Sequence, residues 1–333
     1  MHRRIFMASA VLGCLIAAGC AAPTALPPSV TLRVNVFPVS SNLPLYAAMD
    51  KGFFAKRGVT IEVQNTPNSD AQRTGLPAGR FEIAHAAVDN AVAMVEVAKN
   101  DTIIVMGGDS GMNEFMVRSE IATFADIRGK SLAVDAPNTA YALVARKILK
   151  IKGLLEGRDY TVKVAGNTQG RSVAMVSNPE LAAGMMNPPY SFTVRDRGIK
   201  SLGRATELAG PYQATGAFVM RAWAAANASA LERYMAACIE GTRYAMNSAN
   251  RAEMIKLLED RFKLPTAVAT QSYEALMTPG FGLDRDARLS FEGFNNMLSI
   301  RAEMEGTGGG RAPDPAKFLD LSYYDKAISM VGR

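Results

Sequence analysis

Histidine is almost missing from this chain. The two copies are His2 and His85, which rules out a metal site built on several imidazoles. Cysteine is nearly as scarce. Cys14, Cys20 and Cys238 are too few for a thiolate zinc site, and they offer no framework of disulfides. With 333 residues and 48% hydrophobic content, the chain is long enough to bury one or two cores without such staples. Blocks of like charge are missing too. The 37 basic and 31 acidic residues interleave, as in Arg251, Glu253, Lys256, Glu259, Asp260 and Arg261, so no basic stripe suits nucleic acid.

Phosphate-loop signatures fail as well. Gly129-Lys130-Ser131 ends like a P-loop, but that motif needs glycine five residues ahead of Gly129, where Phe124 stands. Ser131 also opens a strand and not a helix. Gly306 to Gly310 has no strand before it and reads as a loop. The methionines are dispersed and read as core filler. His85 follows an expected strand, Phe81 to Ala84, with Asp89 four residues on. A general base is one reading of it; a structural or ligand-contacting histidine is the expected one. No catalytic residue, metal or cofactor is expected.

What is present starts at the N-terminus. Met1-His2-Arg3-Arg4 leads into a stretch free of charge from Ile5 to Gly19, the basic-then-apolar order of a signal peptide. It falls short of the roughly 20 residues a membrane-spanning helix needs. Ala17-Ala18-Gly19-Cys20 resembles a bacterial lipobox, in which the cysteine is acylated and becomes the first mature residue. Plain secretion with cleavage a few residues later is the alternative. Arg3-Arg4-Ile5-Phe6-Met7 leaves twin-arginine and general export both open. Ala21 to Ser29, with three prolines and no charge, reads as a tether. Residues 1–19 are thus expected to be a signal peptide and 20–29 a tether. The protein is expected in the periplasm, anchored to the membrane through lipidated Cys20. Loss of Arg3 and Arg4 takes the net charge from +6 to +4, a mild field that favours anionic solutes.

Beyond residue 30, strands alternate with helices, which predicts an α/β architecture. Strands are expected at Leu32 to Phe37, Val59 to Val63, Phe81 to Ala84, Thr102 to Met106, Glu114 to Arg118, Ser131 to Val134, Tyr160 to Val164, Ala183 to Met186 and Gly216 to Arg221. Thr102 to Met106 is apolar throughout, as a strand covered on both faces of a parallel sheet would be. Asp89-Asn90 is expected to cap a helix from Ala91 to Ala98. From Ala224 the chain reads as mainly helical. Polar loops recur between strand and helix, at Ser40-Ser41-Asn42, Val88-Asp89-Asn90, Gly108 to Gly111, Asn138-Thr139 and Thr168-Gln169. Ligands of open α/β sheets collect at such strand ends, where helix N-termini expose unpaired N–H groups. Ordinary turn and cap chemistry is the competing account of each loop.

Several segments together resemble the substrate-binding proteins of ABC transporters for nitrate, sulfonates and taurine, a family that also holds pyrimidine-precursor binders related to yeast thiamine-pyrimidine synthase. They are Leu45 to Phe54 with Gly58-Val59 and Ile61 to Val63, then Ala78 to Ala84 with Asp89-Asn90, then Asp126 to Val134. Asn187-Pro188-Pro189-Tyr190 and Pro313-Asp314-Pro315 with Asp320 to Tyr324 complete the set. The resemblance spans nearly the whole mature chain. It implies a two-lobe periplasmic binding protein fold of type II-like form with two interlobe crossovers. Lobe one would comprise residues 30–112 plus 216–333, and lobe two residues 113–215. It also implies capture of a small polar or anionic solute, of sulfonate, nitrate, pyrimidine or carboxylate type, and delivery to a membrane permease. Nothing in the sequence suggests assembly, so a monomer is expected, and the scattered charges predict no nucleic-acid partner. Carried over residue by residue, it places Asn42, Asp89, Asn90, Asn138, Thr139 and Tyr190 on cleft-facing segments. Arg171 and Arg80 are candidate anion contacts. The enzyme relative relies on a His and Cys-rich motif that this chain lacks. An enzyme using His85, or an exported ligand-sensing subunit, remains the alternative.

Overall fold

The computed structural model describes residues 29–332. The expected signal peptide, Cys20 and nearly all of the tether lie outside the described residues. Ten strands form two sheets of five. The first sheet holds β1 (Val30–Val36), β2 (Val59–Asn65), β3 (Ile83–Ala87), β4 (Thr102–Met106) and β10 (Thr215–Met220); the second holds β5 (Glu114–Arg118), β6 (Lys130–Val134), β7 (Tyr160–Val164), β8 (Leu181–Met186) and β9 (Ile199–Arg204). Their spatial orders are β2-β1-β3-β10-β4 and β7-β6-β8-β5-β9.

The two sheets share one pattern. Each has three parallel strands, and then a strand antiparallel to both its neighbours: β10 in the first sheet, β5 in the second. Both reversed strands are those that enter directly from the other sheet, so the chain crosses twice, between β4 and β5 and between β9 and β10. The crossing segments are bonded to each other. Ala205 N–H donates to Asn113 O at 2.8 Å and Ala214 N–H to Asp109 O at 3.0 Å.

Apolar burial follows from this layout. The face of the first sheet carrying Leu32, Val34, Ile103 and Val219 packs on the long helix Ala228–Met246. That helix lies against the helix Leu43–Asp50 so closely that a Cβ on Gly241 would stand 2.2 Å from Pro44 O. A second cluster runs from Phe218 through the helix Phe291–Glu305 to the helix Ala140–Ile151 and on to Leu132. It ties the two sheets into one molecule. Among the described residues, no helix is long and apolar enough to cross a membrane.

Four expectations need adjustment. β4 is fully buried, as its composition suggests, yet it is a sheet-end strand paired antiparallel to β10. Its outer edge is covered by the C-terminal segment, with Ile104 N–H donating to Phe318 O at 2.8 Å and Asp320 N–H to Ile104 O at 3.1 Å. His85 lies inside β3 and not behind it. Asp89 and Asn90 fall within the helix Asp89–Glu96 and do not cap it, because their side chains are engaged elsewhere. Finally, β9 is a strand where none is expected.

Candidate functional site

A cavity opens where the carboxyl ends of β1 and β3 meet those of β6 and β8. It has about 660 Å³ of atom-free space, part of it open to solvent. From the first sheet it is lined by Phe37, Asn42, His85, Asn90 and Thr215; from the second by Asp135, Thr139, Tyr141, Arg171 and Asn187. Alanine and valine side chains fill most of the remaining wall. Such a mainly apolar pocket with a few convergent polar groups is the usual form of a small-molecule site.

Asn42 and Thr139 are held by local bonds. Asn42 Nδ2 donates to Phe37 O at 2.5 Å, and Thr139 Oγ1 donates to Ala136 O at 2.9 Å. Asp89, Asn90 and Asn138 are brought together in one buried network. Arg301 Nε and Nη2 donate to the two oxygens of Asp89 at 2.5 and 2.7 Å, and Nη2 also reaches Asn138 O at 2.7 Å. Arg73 donates to Asn90 Oδ1 at 2.9 Å and to Asn138 Oδ1 at 3.0 Å. Asn90 Nδ2 continues to Gln72 Oε1 at 2.9 Å. Of these three, only Asn90 also lines the cavity. Burial pulls the Arg301 guanidinium down, but Asp89 outweighs it and leaves it raised. Arg73 is lowered, chiefly by burial.

Tyr190 begins the short helix Tyr190–Thr193 and is half-buried away from the cavity lining. Burial pushes its phenol up to about 12, with Tyr46 adding to the shift. Arg80 is exposed. His85 does line the cavity, where burial lowers its pKa from 6.5 to about 4 and keeps it neutral near pH 7. Its Nδ1 lies 3.3 Å from the Tyr234 hydroxyl. Asp89, expected beside it, is fully engaged by Arg301.

Arg171 reaches the cavity from the helix Thr168–Ser177, yet four of its five N–H donors are already used. Nε and Nη2 donate to Met185 O at 3.2 and 3.0 Å, Nη2 to Thr168 Oγ1 at 3.1 Å, and Nη1 to Gly166 O at 2.8 Å. Burial lowers its pKa, opposed by the charge of Asp135. Phe37, Asp135, Tyr141, Asn187 and Thr215 were not singled out as candidates from the sequence. Asp135 and Asn187 each directly follow a strand of the second sheet, and that position was the available signal.

Several bonds join the two sides of the cavity. Ser69 N–H donates to Asp135 Oδ2 at 3.0 Å, Ser40 N–H to Pro188 O at 3.0 Å, and Arg73 to Asn138 as above. Farther along the helix Ala140–Ile151, Lys147 and Lys150 pair with Glu303 of the helix Phe291–Glu305 at 2.5 and 2.8 Å, and Arg146 with Glu305 at 3.2 Å.

No curated protein sequence matches the chain. A family model, described as the NMT1-like family, matches residues 25–259. Solved structures share the fold. The periplasmic nitrate-binding protein NrtA of Synechocystis is 16% identical with a TM-score of 0.71, over 91% of this chain and 89% of that one. The alkanesulfonate-binding protein SsuA of Xanthomonas axonopodis, bound to MOPS, is 19% identical with a TM-score of 0.70, over 86% and 96%. The ligand-binding component of an ABC-type import system from Staphylococcus aureus, with zinc bound, is 12% identical with a TM-score of 0.72, over 90% and 99%.

Proposed function

Since the chain belongs to the NMT1-like family and folds as a periplasmic binding protein, we propose that it is the extracytoplasmic solute-binding component of an ABC importer. It takes up a small solute between its lobes and hands it to a membrane permease. The observation that carries this reading is the cavity at the facing strand ends, spanned by hydrogen bonds from one side to the other. In this reading lobe one is residues 30–112 plus 216–333 and lobe two residues 113–215, with the two crossing segments as the hinge. Cys20 would anchor the protein in the periplasm by its lipid, and the protein would work as a monomer. Catalysis is not part of the proposal. His85 is neutral and shares a contact with Tyr234, and Asp89 is engaged by Arg301, so the acid–base pair that an enzyme reading would use is not assembled.

The test is capture without turnover. The protein is purified from its own cells, the solute is released by denaturation, and mass spectrometry identifies it. Added back, the same compound should raise the melting temperature and be recovered unchanged. Conversion of the compound to a product by the protein, abolished by His85→Ala, would overturn the reading.

A further inference from the structure

Two polar atoms of cavity-lining residues have no hydrogen-bond partner among the described residues: Asp135 Oδ1 and Asn187 Oδ1. They belong to neighbouring strand ends, since β6 and β8 pair in parallel. Asn187 is 4% exposed. A carboxylate offers acceptors only, whichever way it turns, and a buried oxygen without a donor is costly to leave so. Asp135 Oδ2 is already satisfied by Ser69 N–H, which leaves Oδ1 as the buried oxygen without a donor.

The donors of the cavity are largely used, by contrast. Arg171 is the only lining residue that carries a positive charge, and four hydrogen bonds turn it to carbonyl and hydroxyl oxygens of the protein. Its charge and that of Asp135 offset one another, and His85 is neutral. An oxyanion would bring more acceptors to two oxygens that lack donors, and would meet a guanidinium most of whose N–H groups are already donated to the protein.

We propose that the captured solute is an uncharged or cationic molecule with at least two N–H groups, an amide, amidine or amino-heterocycle, which donate to Asp135 Oδ1 and Asn187 Oδ1. Its apolar body lies against Phe37, Val134, Tyr141 and Met185. This rests on the reading of the protein as a solute-capturing one and narrows it, setting aside the nitrate, sulfonate and carboxylate types.

Titration calorimetry on the mature chain tests the class directly. Benzamidine, nicotinamide and cytosine serve as donor probes, and nitrate, ethanesulfonate and acetate as oxyanion probes. At least one donor probe binds and no oxyanion does. Asp135→Asn keeps an acceptor for Ser69 and turns an NH2 towards the ligand, so it weakens that binding tenfold or more. Asn187→Ala weakens it as well, and carries the test should the first variant fail to fold, as judged by its unliganded melting temperature. An oxyanion that binds equally well or better in Asp135→Asn overturns the donor class and leaves solute capture standing. Binding of neither panel also overturns the donor class; whether the protein releases any solute when denatured then decides separately whether capture stands.

Discussion

At the scale of single residues, two buried groups pull stability in opposite directions with pH. Asp109 ties the crossing segments, accepting from Gly111 N–H at 2.7 Å and from the Thr215 hydroxyl. Burial raises its pKa from 3.8 to about 6, so between those values the unfolded chain has lost a proton that the folded chain keeps. Stability therefore falls as pH rises through that window, by about 3 kcal/mol. His85 acts oppositely. Its folded pKa of about 4 against 6.5 means the unfolded chain takes up a proton first as pH falls, and stability drops from 6.5 towards 4. Asp109→Asn removes the first effect and leaves the second exposed. Its denaturation midpoint should fall more steeply than that of the wild type between pH 7.5 and pH 5, whereas that of His85→Gln should rise. Residues of this kind were the least legible in the sequence. Asp89 reads there as a helix cap and a cleft-facing residue, because nothing local announces Arg301, its partner 212 positions away. Asn90 and Asn138 were found as polar positions at strand ends, but their joining by Arg73 is a tertiary fact.

Elements were read far better, for a physical reason. A strand with a short apolar run between polar loops carries its own signal, and Thr102–Met106, Glu114–Arg118 and Tyr160–Val164 match the expected limits residue for residue. What a window of sequence does not contain is pairing. β4's reversed partner, β10, comes from more than 100 positions downstream, and the cover of its edge by Phe318 and Asp320 from more than 200. β9 reads Ile199-Lys200-Ser201-Leu202-Gly203-Arg204, and its glycine and arginine mask the strand pattern. Contact between elements can be tested at Gly241, where a side chain would press on Pro44 O and on Ala48 Cβ at 2.8 Å. Gly241→Ala is expected to destabilise by about 1–3 kcal/mol through forced separation of the two helices, measured by chemical denaturation.

For the whole molecule, the matching strand patterns make each sheet a frame whose reversed strand enters from the other one. The alternation of strand and helix shows the α/β class, whereas the two lobes and their cleft are legible only through the family resemblance and not through periodicity. Arg73, with its bonds to Asn90 on one side and Asn138 on the other, links both halves. Arg73→Ala should weaken solute binding roughly 10–100-fold, the equivalent of one or two charge-assisted hydrogen bonds. Solution scattering of the solute-bound variant should give a larger radius of gyration than that of the bound wild type. An unchanged radius would show that Arg73 does not hold the halves together. The pairs of Lys147 and Lys150 with Glu303 add a different dependence. They are partly exposed, at 24% and 46% for the lysines and 33% for the glutamate, so dissolved ions weaken them far more than they weaken the buried Asp89–Arg301 pair. These two pairs join the helix Ala140–Ile151 to the helix Phe291–Glu305, so the hold of one helix on the other would slacken in brine and firm up in fresh water.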